Sequence, residues 1–299
     1  MDSTIFLIQL LNAVQYGLLL FLVASGLTLI FGIMGVINLA HGSFYMLGAY
    51  LAWSLSEHLG SLWLAIASGV VLTVAFGMVL EGLLFRRLYQ RDHLYQVLLT
   101  YGLILIFEEL RSILWGDDVH GVRIPEVLSA SISLTDTLSY PVYRLWMSGV
   151  CIAIAVLLYF VIQKTRLGMM IRAGASNREM AQALGVNIGL VYRVVFALGV
   201  ALAAFAGMIA APVSSVFPGM GNQILIICFV VVVIGGIGSI KGAMVAALLI
   251  GLVDTFGKVI DLEIAGVRLL PELSGMSVYL LMAVVLLLRP EGLFGRRQG

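Results

Sequence analysis

Residues Gly32–Gly48 read GIMGVINLAHGSFYMLG. Four glycines, Asn38 and His41 stand where a membrane-crossing helix is ordinarily most apolar. Around them the chain is near-continuous hydrocarbon: 61% of its 299 residues are hydrophobic and 11% are charged, and mean hydropathy is +1.08. About a quarter of a soluble domain is charged, so this chain cannot cover itself with a water-facing surface. The stretch therefore reads as a break inside membrane-embedded chain. Non-helical backbone at membrane depth survives only when buried in protein or lining a wet cavity, because nothing in hydrocarbon pairs its N–H and C=O groups.

Outward from the break, the apolar runs are long. Crossing the bilayer takes about 20 apolar residues as a helix, but only about 9–11 alternating ones as a barrel strand. Spans are expected near 5–31, 36–58, 61–85, 94–114, 143–163, 190–211, 222–236, 241–260 and 275–289, a count of eight or nine because the second and seventh are doubtful as plain helices. The expected fold is an all-α, polytopic, single transmembrane domain over 1–299. The first run, Ile5 to Phe31, lacks a basic flank and is too long for a secretory signal, so it reads as the first span. The net charge of +1 says little; the placement of Lys and Arg says more. Arg86, Arg87 and Arg91 share one short loop, Lys164 to Arg193 hold a second basic group, and Arg289, Arg296 and Arg297 end the chain. Asp117, Asp118, Glu126 and Asp136 mark one acidic loop, and Asp261, Glu263 and Glu272 another. The positive-inside rule puts the basic segments in the cytoplasm, the acidic loops and the N-terminus outside, and the C-terminus inside.

A second break echoes the first. Gly235, Gly236 and Gly238 precede Ser239-Ile240-Lys241-Gly242, with an apolar helix expected from Ala243, as one is expected from Ser43 after His41-Gly42. Paired Gly-interrupted segments in corresponding halves point to a transport path. Single glycines also permit close helix crossing, and the chain has 33 of them. The candidate path residues are Asn38, His41, Gly42, Ser43, Gly235, Gly236, Gly238 and Lys241. Asn38 and His41 could hold freed backbone or touch a polar solute.

The loop KTRLGMMIRAGASNREMAQALGVNIGLVYR, Lys164–Arg193, carries a short helix at Ser176–Leu184, with Ser176 as expected N-cap, Glu179 completing a capping box, and Gly185 as the stop. Met180, Ala181 and Leu184 form one small apolar face, which could lie on the inner leaflet, dock on a cytosolic partner, or pack on its own protein. Glu81, Glu108, Glu109, Asp254 and Lys258 lie near span ends and read as snorkelling or interfacial groups. Cys151 and Cys228 fall inside spans and read as small core residues, and His41, His58, His93 and His120 share no ligand spacing. GGIGSIKG lacks the spacing of a phosphate loop, since Gly242 follows Lys241. No metal or cofactor is expected, and no catalytic site.

With these residues laid out, a resemblance is specific. GLTLIFGIMGVINLAHGSFYMLGAYLAW (Gly26–Trp53) closely resembles the N-terminal signature of the branched-chain amino acid permeases of bacterial ABC importers, the shorter of two paired subunits. VLEGLLFRRLY, IRAGASNREMAQALGVN, VVVIGGIGSIKGAMVAALLIGLVD and LLLRPEGLFGR resemble further segments of that family, so the likeness spans nearly the whole chain. It departs at Ser43, where an acid is common, and at Met180, which interrupts the usual Glu-Ala-Ala pattern. The resemblance implies a permease in the bacterial inner membrane, paired with a second homologous permease. Two cytosolic ATP-binding subunits would dock on Ser176, Glu179, Met180, Ala181, Leu184 and Gly185, and they would use the ATP. A periplasmic binding protein would deliver branched-chain or other hydrophobic amino acids. The partners are thus proteins and membrane lipid, with no nucleic acid. Related permeases carry urea, short amides or small carboxylates. An ion-coupled secondary carrier is the rival class, but it has no need of a projecting loop helix.

Overall fold

The first helix, α1 (Ser3–Met34), is apolar on nearly every side and enclosed by its neighbours, the pattern of a central membrane helix. The computed structural model describes residues 3–89, 91–135, 138–259, 263–264, 267–268 and 272–295. After α1 come α2 (His41–Leu59), α3 (Leu62–Leu80), a π-helical turn (Glu81–Phe85), α4 (Arg86–Leu88) and α5 (His93–Trp115). A two-stranded antiparallel hairpin, β1 (Ser131–Thr135) and β2 (Leu138–Pro141), leads into α6 (Val142–Lys164). Then follow α7 (Arg166–Ser176), α8 (Arg178–Ala183), α9 (Ile188–Ser214), α10 (Met220–Gly235) and α11 (Ile240–Gly257). A short antiparallel pair, β3 (Glu263–Ile264) and β4 (Val267–Arg268), precedes α12 (Glu272–Leu288). Arg296, Arg297, Asp136 and Asp261, which entered the charge reading, lie outside the described residues.

The fold is all-α and polytopic, as the sequence indicates. Ile5–Met34, Leu62–Leu88, Val142–Lys164, Ile188–Ser214 and Ile240–Gly257 are each long and apolar enough to cross a membrane. α1 and α9 form the interior, and α2, α10 and α11 pack on them. Small residues set these contacts: Gly26 meets Gly199, Gly48 meets Ala204, and Gly17 meets Ala247. Backbone-to-backbone approach of this kind replaces the hydrophobic drive that lipid cannot supply. By contrast α3, α5 and α6 turn bare apolar side chains outward, among them Val71, Ile113 and Leu157. Such a surface would aggregate in water and is at home against acyl chains.

Four expectations need correcting. Residues 35–40 are not helical at all, so the span expected at 36–58 begins at His41. The helices expected from Ser43 and Ala243 begin earlier, at His41 and Ile240, because each takes up its polar-plus-glycine pair as its first turn. In the expected 61–85 span the α-helix gives way at Glu81 to the π turn. Glu81 itself is buried, 3% exposed, and does not snorkel.

Candidate functional site

The first break turns at Gly35 (φ 65°) and is held by side chains. Gln96 Oε1 on α5 accepts from the Ile37 amide (3.3 Å), and Thr100 donates to the Ile37 carbonyl (3.4 Å). Gln96 also donates to the carbonyls of Leu88 (3.3 Å) and Arg91 (3.2 Å), tying the break to the turn after α4. His41 is fully buried, and its Nε2 lies 3.0 Å from the Val23 carbonyl in mid-α1. Since a carbonyl only accepts, Nε2 carries the proton. Beside it Gly42 packs directly on the backbone of Gly221. Asn38 is fully buried, and neither of its side-chain polar atoms has a hydrogen-bond partner among the described residues.

The second break turns at Gly236 (φ 95°) and Gly238 (φ 77°). Ser239 caps α11 by accepting from the Gly242 amide at 3.0 Å. The orphan carbonyls at the end of α10 are met by the C-terminal tail: Leu293 N donates to Ile234 O (2.8 Å) and Phe294 N to Gly235 O (3.1 Å). The two breaks touch. A Cβ at Gly32 would stand 2.5 Å from the Gly238 Cα. Lys241 is exposed and Gly235 and Gly236 are buried.

Between α1, α6, α9, α10 and α11 lies a cavity of about 500 Å³. Tyr45 of α2, one turn beyond His41, also lines it, together with Ile224 of α10. Its polar lining includes Asn12, Arg144, Asp254 and Lys258. Asn12 Oδ1 accepts from Arg144 Nη1 (2.8 Å) and from the Tyr140 hydroxyl (3.0 Å). Burial pushes the Tyr140 phenol up from its ordinary pKa, against the Arg144 guanidinium, so it stays a neutral donor. Lys258 Nζ donates to Asp254 Oδ2 at 2.6 Å, and the Asp254 side chain is only 14% exposed. None of the eight path residues named from the sequence lines this cavity. Sequence reading missed Asn12 and Arg144, and took Asp254 for an interfacial group. Asn12 stands between Gln9 and Gln15 at helical spacing on α1, a polar stripe the sequence carries, whereas Arg144 and Asp254 are single charged residues near span ends that only packing brings to it.

At the far end of α6 the chain reverses into α7 and α8. Thr165 caps α7, accepting from Gly168 N (3.1 Å). The N-cap of α8 is Asn177, which accepts from Met180 N (2.9 Å), and not Ser176, which is the last residue of α7. Asn177 lies one residue further on and has the extended backbone a cap needs. Gly185 (φ 85°) ends the helix with paired bonds, Val186 N to Ala181 O and Gly185 N to Gln182 O, a Schellman motif. The expected common face is split: Ala181 turns inward at 3% exposed, while Met180 (58%) and Leu184 (78%) project. Ser176 and Glu179 are exposed.

One further cluster links this segment to the bundle. Arg178 of α8 stands over the Tyr192 ring, 5.7 Å from its centroid. Tyr192 packs edge-on against Tyr89 (5.0 Å), and Tyr89 donates to Glu81 Oε1 at 2.6 Å. Arg193, next to Tyr192, stands 4.0 Å from Glu81 Oε2. A buried carboxylate is thus paired with one cation and one hydroxyl, which is how such a charge is tolerated.

Residues 9–286 match the family described as branched-chain amino acid transport system / permease component. The chain is similar to the high-affinity branched-chain amino acid transport system permease protein BraD of Pseudomonas aeruginosa. The two are 30% identical over 305 residues, 97% of this chain and 96% of that one. It is 28% identical to the corresponding protein LivH of Escherichia coli (strain K12) over 307 residues, again 97% and 96%. Among solved structures, PsaBC from Streptococcus pneumoniae in complex with Fab is 14% identical with a TM-score of 0.47, covering 93% of this chain and 89% of that one.

Proposed function

The chain belongs to the branched-chain amino acid transport system permease family, and from that premise we propose that it forms the membrane path of an ABC importer for branched-chain or other hydrophobic amino acids. It is a multi-pass membrane protein of the permease kind. In this reading ATP is hydrolysed by two separate cytosolic subunits, a second related permease completes the path, and a periplasmic binding protein delivers the solute. The N-terminus, the segment 116–141 and the α11 end of the cavity face the periplasm; α7, α8 and the C-terminal tail face the cytoplasm. The charge distribution along the sequence supports this orientation.

The observation that carries the reading is the pair Met180 and Leu184. They project, mostly exposed, from a short helix fixed at both ends, by Asn177 and by Gly185. A rigid apolar knob on a basic segment is built to enter a groove in a partner, and the ATP-binding subunits are the partner the family supplies. Replacing both residues with Asp is expected to leave the yield of the permease unchanged, to abolish co-purification of the ATP-binding subunits, and to stop uptake. Co-purification and uptake at wild-type levels would sink the docking assignment. Ala181 is a poorer probe, because it is buried against its own protein.

A further inference from the structure

The cavity beneath Arg144 brings opposite charges and apolar surface into one space. Arg144 donates through one nitrogen to Asn12, and a guanidinium has five N–H donors. Both lone pairs of the Asn12 carbonyl are engaged, by Arg144 and Tyr140, so the guanidinium is held in one pose. Asp254 Oδ2 accepts from Lys258, and a carboxylate has a second accepting oxygen. Leu19, Met147 and Ile224 line the same cavity. Its volume, about 500 Å³, is in the range of small-molecule sites.

Each simpler ligand leaves something unmatched. A neutral amide or urea supplies no anion for Arg144, which here donates to a neutral amide, whereas Asp254 already has Lys258. A plain carboxylate could pair with Arg144 and leaves Asp254 with Lys258 alone, while a plain cation could pair with Asp254 and leaves Arg144 without an anion. A molecule carrying both charges and a hydrocarbon branch satisfies all three surfaces.

We propose that this cavity is a specificity site for an apolar zwitterion: Arg144, steadied by Asn12, takes the α-carboxylate; Asp254 takes the α-ammonium; and Leu19, Met147 and Ile224 enclose the side chain. The proposal rests on the importer reading above and adds discrimination inside the membrane path, after delivery. Tyr45 forms part of the wall, and the His41–Val23 bond one turn away fixes the helix that carries it.

The test uses the whole transport complex in liposomes, with binding protein loaded with radiolabelled L-leucine. Initial uptake and ATP hydrolysis are followed as the concentration of loaded binding protein rises. Arg144→Gln and Asp254→Asn are each expected to lower maximal uptake by about tenfold or more, the effect of losing one charge-assisted hydrogen bond. The half-saturating binding-protein concentration and the stimulated ATP hydrolysis should stay where they were. Arg144→Lys and Asp254→Glu, which keep the charge, should recover part of the rate. Wild-type uptake in the Gln and Asn variants overturns the site alone. So does a parallel loss of stimulated hydrolysis, which marks a structural defect. A wild-type complex that takes up leucine not at all overturns the importer reading, and the site with it.

Discussion

At residues 35–40 the chain is braced by side chains of other helices, whereas at 236–239 it is braced by the backbone of the C-terminal tail, with Ser239 capping α11 from within. Gln96 and Thr100 reach across from α5 to the first break, and His41 reaches to α1. At the second, the tail residues Leu293 and Phe294 lay their amides on the carbonyls that end α10. The chemistry differs because the settings differ. The first break is buried between helices, and Asn38 and His41 are both fully enclosed. The second lies nearer the surface, with Ile237 57% exposed, where a terminal strand of chain can reach it. The first break is thus held from α5 and α1, and the second from the C-terminal tail.

Three substitutions can break or sharpen that contrast. The largest effect is expected at Gly42→Leu. A Cβ there runs into the Gly221 carbonyl and stands 2.8 Å from the Leu225 Cβ, and most of the obstruction is backbone. Forcing α2 from α10 should cost about 3 kcal/mol or more, read as a lower melting temperature in detergent and poor recovery of folded protein. A melting temperature equal to wild type would show that the contact is loose. Next comes Leu293→Pro, which removes the amide that meets Ile234 O. Leaving that carbonyl unpaired should cost about 1–3 kcal/mol while uptake per folded molecule holds. Lost uptake with unchanged stability would make the second break part of the path. The smallest change is expected for Asn38→Leu. Removing a buried amide that has no hydrogen-bond partner among the described residues should raise stability by about 1 kcal/mol. Uptake should fall if Asn38 meets the solute or a moving group during transport. Stability and uptake both unchanged would reduce Asn38 to filler.

The fold was legible because membrane helices announce themselves locally. Every apolar run read as a span contains a helix, and Gly35, Gly236 and Gly238 carry the positive φ angles at which the chain turns. The loop helix was legible in part. Gly185 stops it as the sequence indicates, but the cap is Asn177, and α7 before it went unread. Its apolar residues gather on one face, a signal the sequence carried, and Gly168 and Gly174 are buried in the structure. Glu81 was misread because a carboxylate near a span end ordinarily reaches water. Its partners Tyr89 and Arg193 lie eight and more than a hundred positions away, so only one of them was within local view.

By itself the sequence determined that this chain lives in lipid, that its helices break twice at glycine, and that a capped apolar helix sits on a basic loop. These are local facts, written in runs of hydrocarbon and in residues with special backbone freedom. The tertiary structure alone decided that the two breaks touch, that Ala181 turns inward while Met180 and Leu184 project, and that Asn12, Arg144 and Asp254 share one cavity. Helix periodicity fixes which residues share a face of one helix. Which faces meet is set by close packing between helices distant in sequence, where a glycine on one backbone admits the backbone of another.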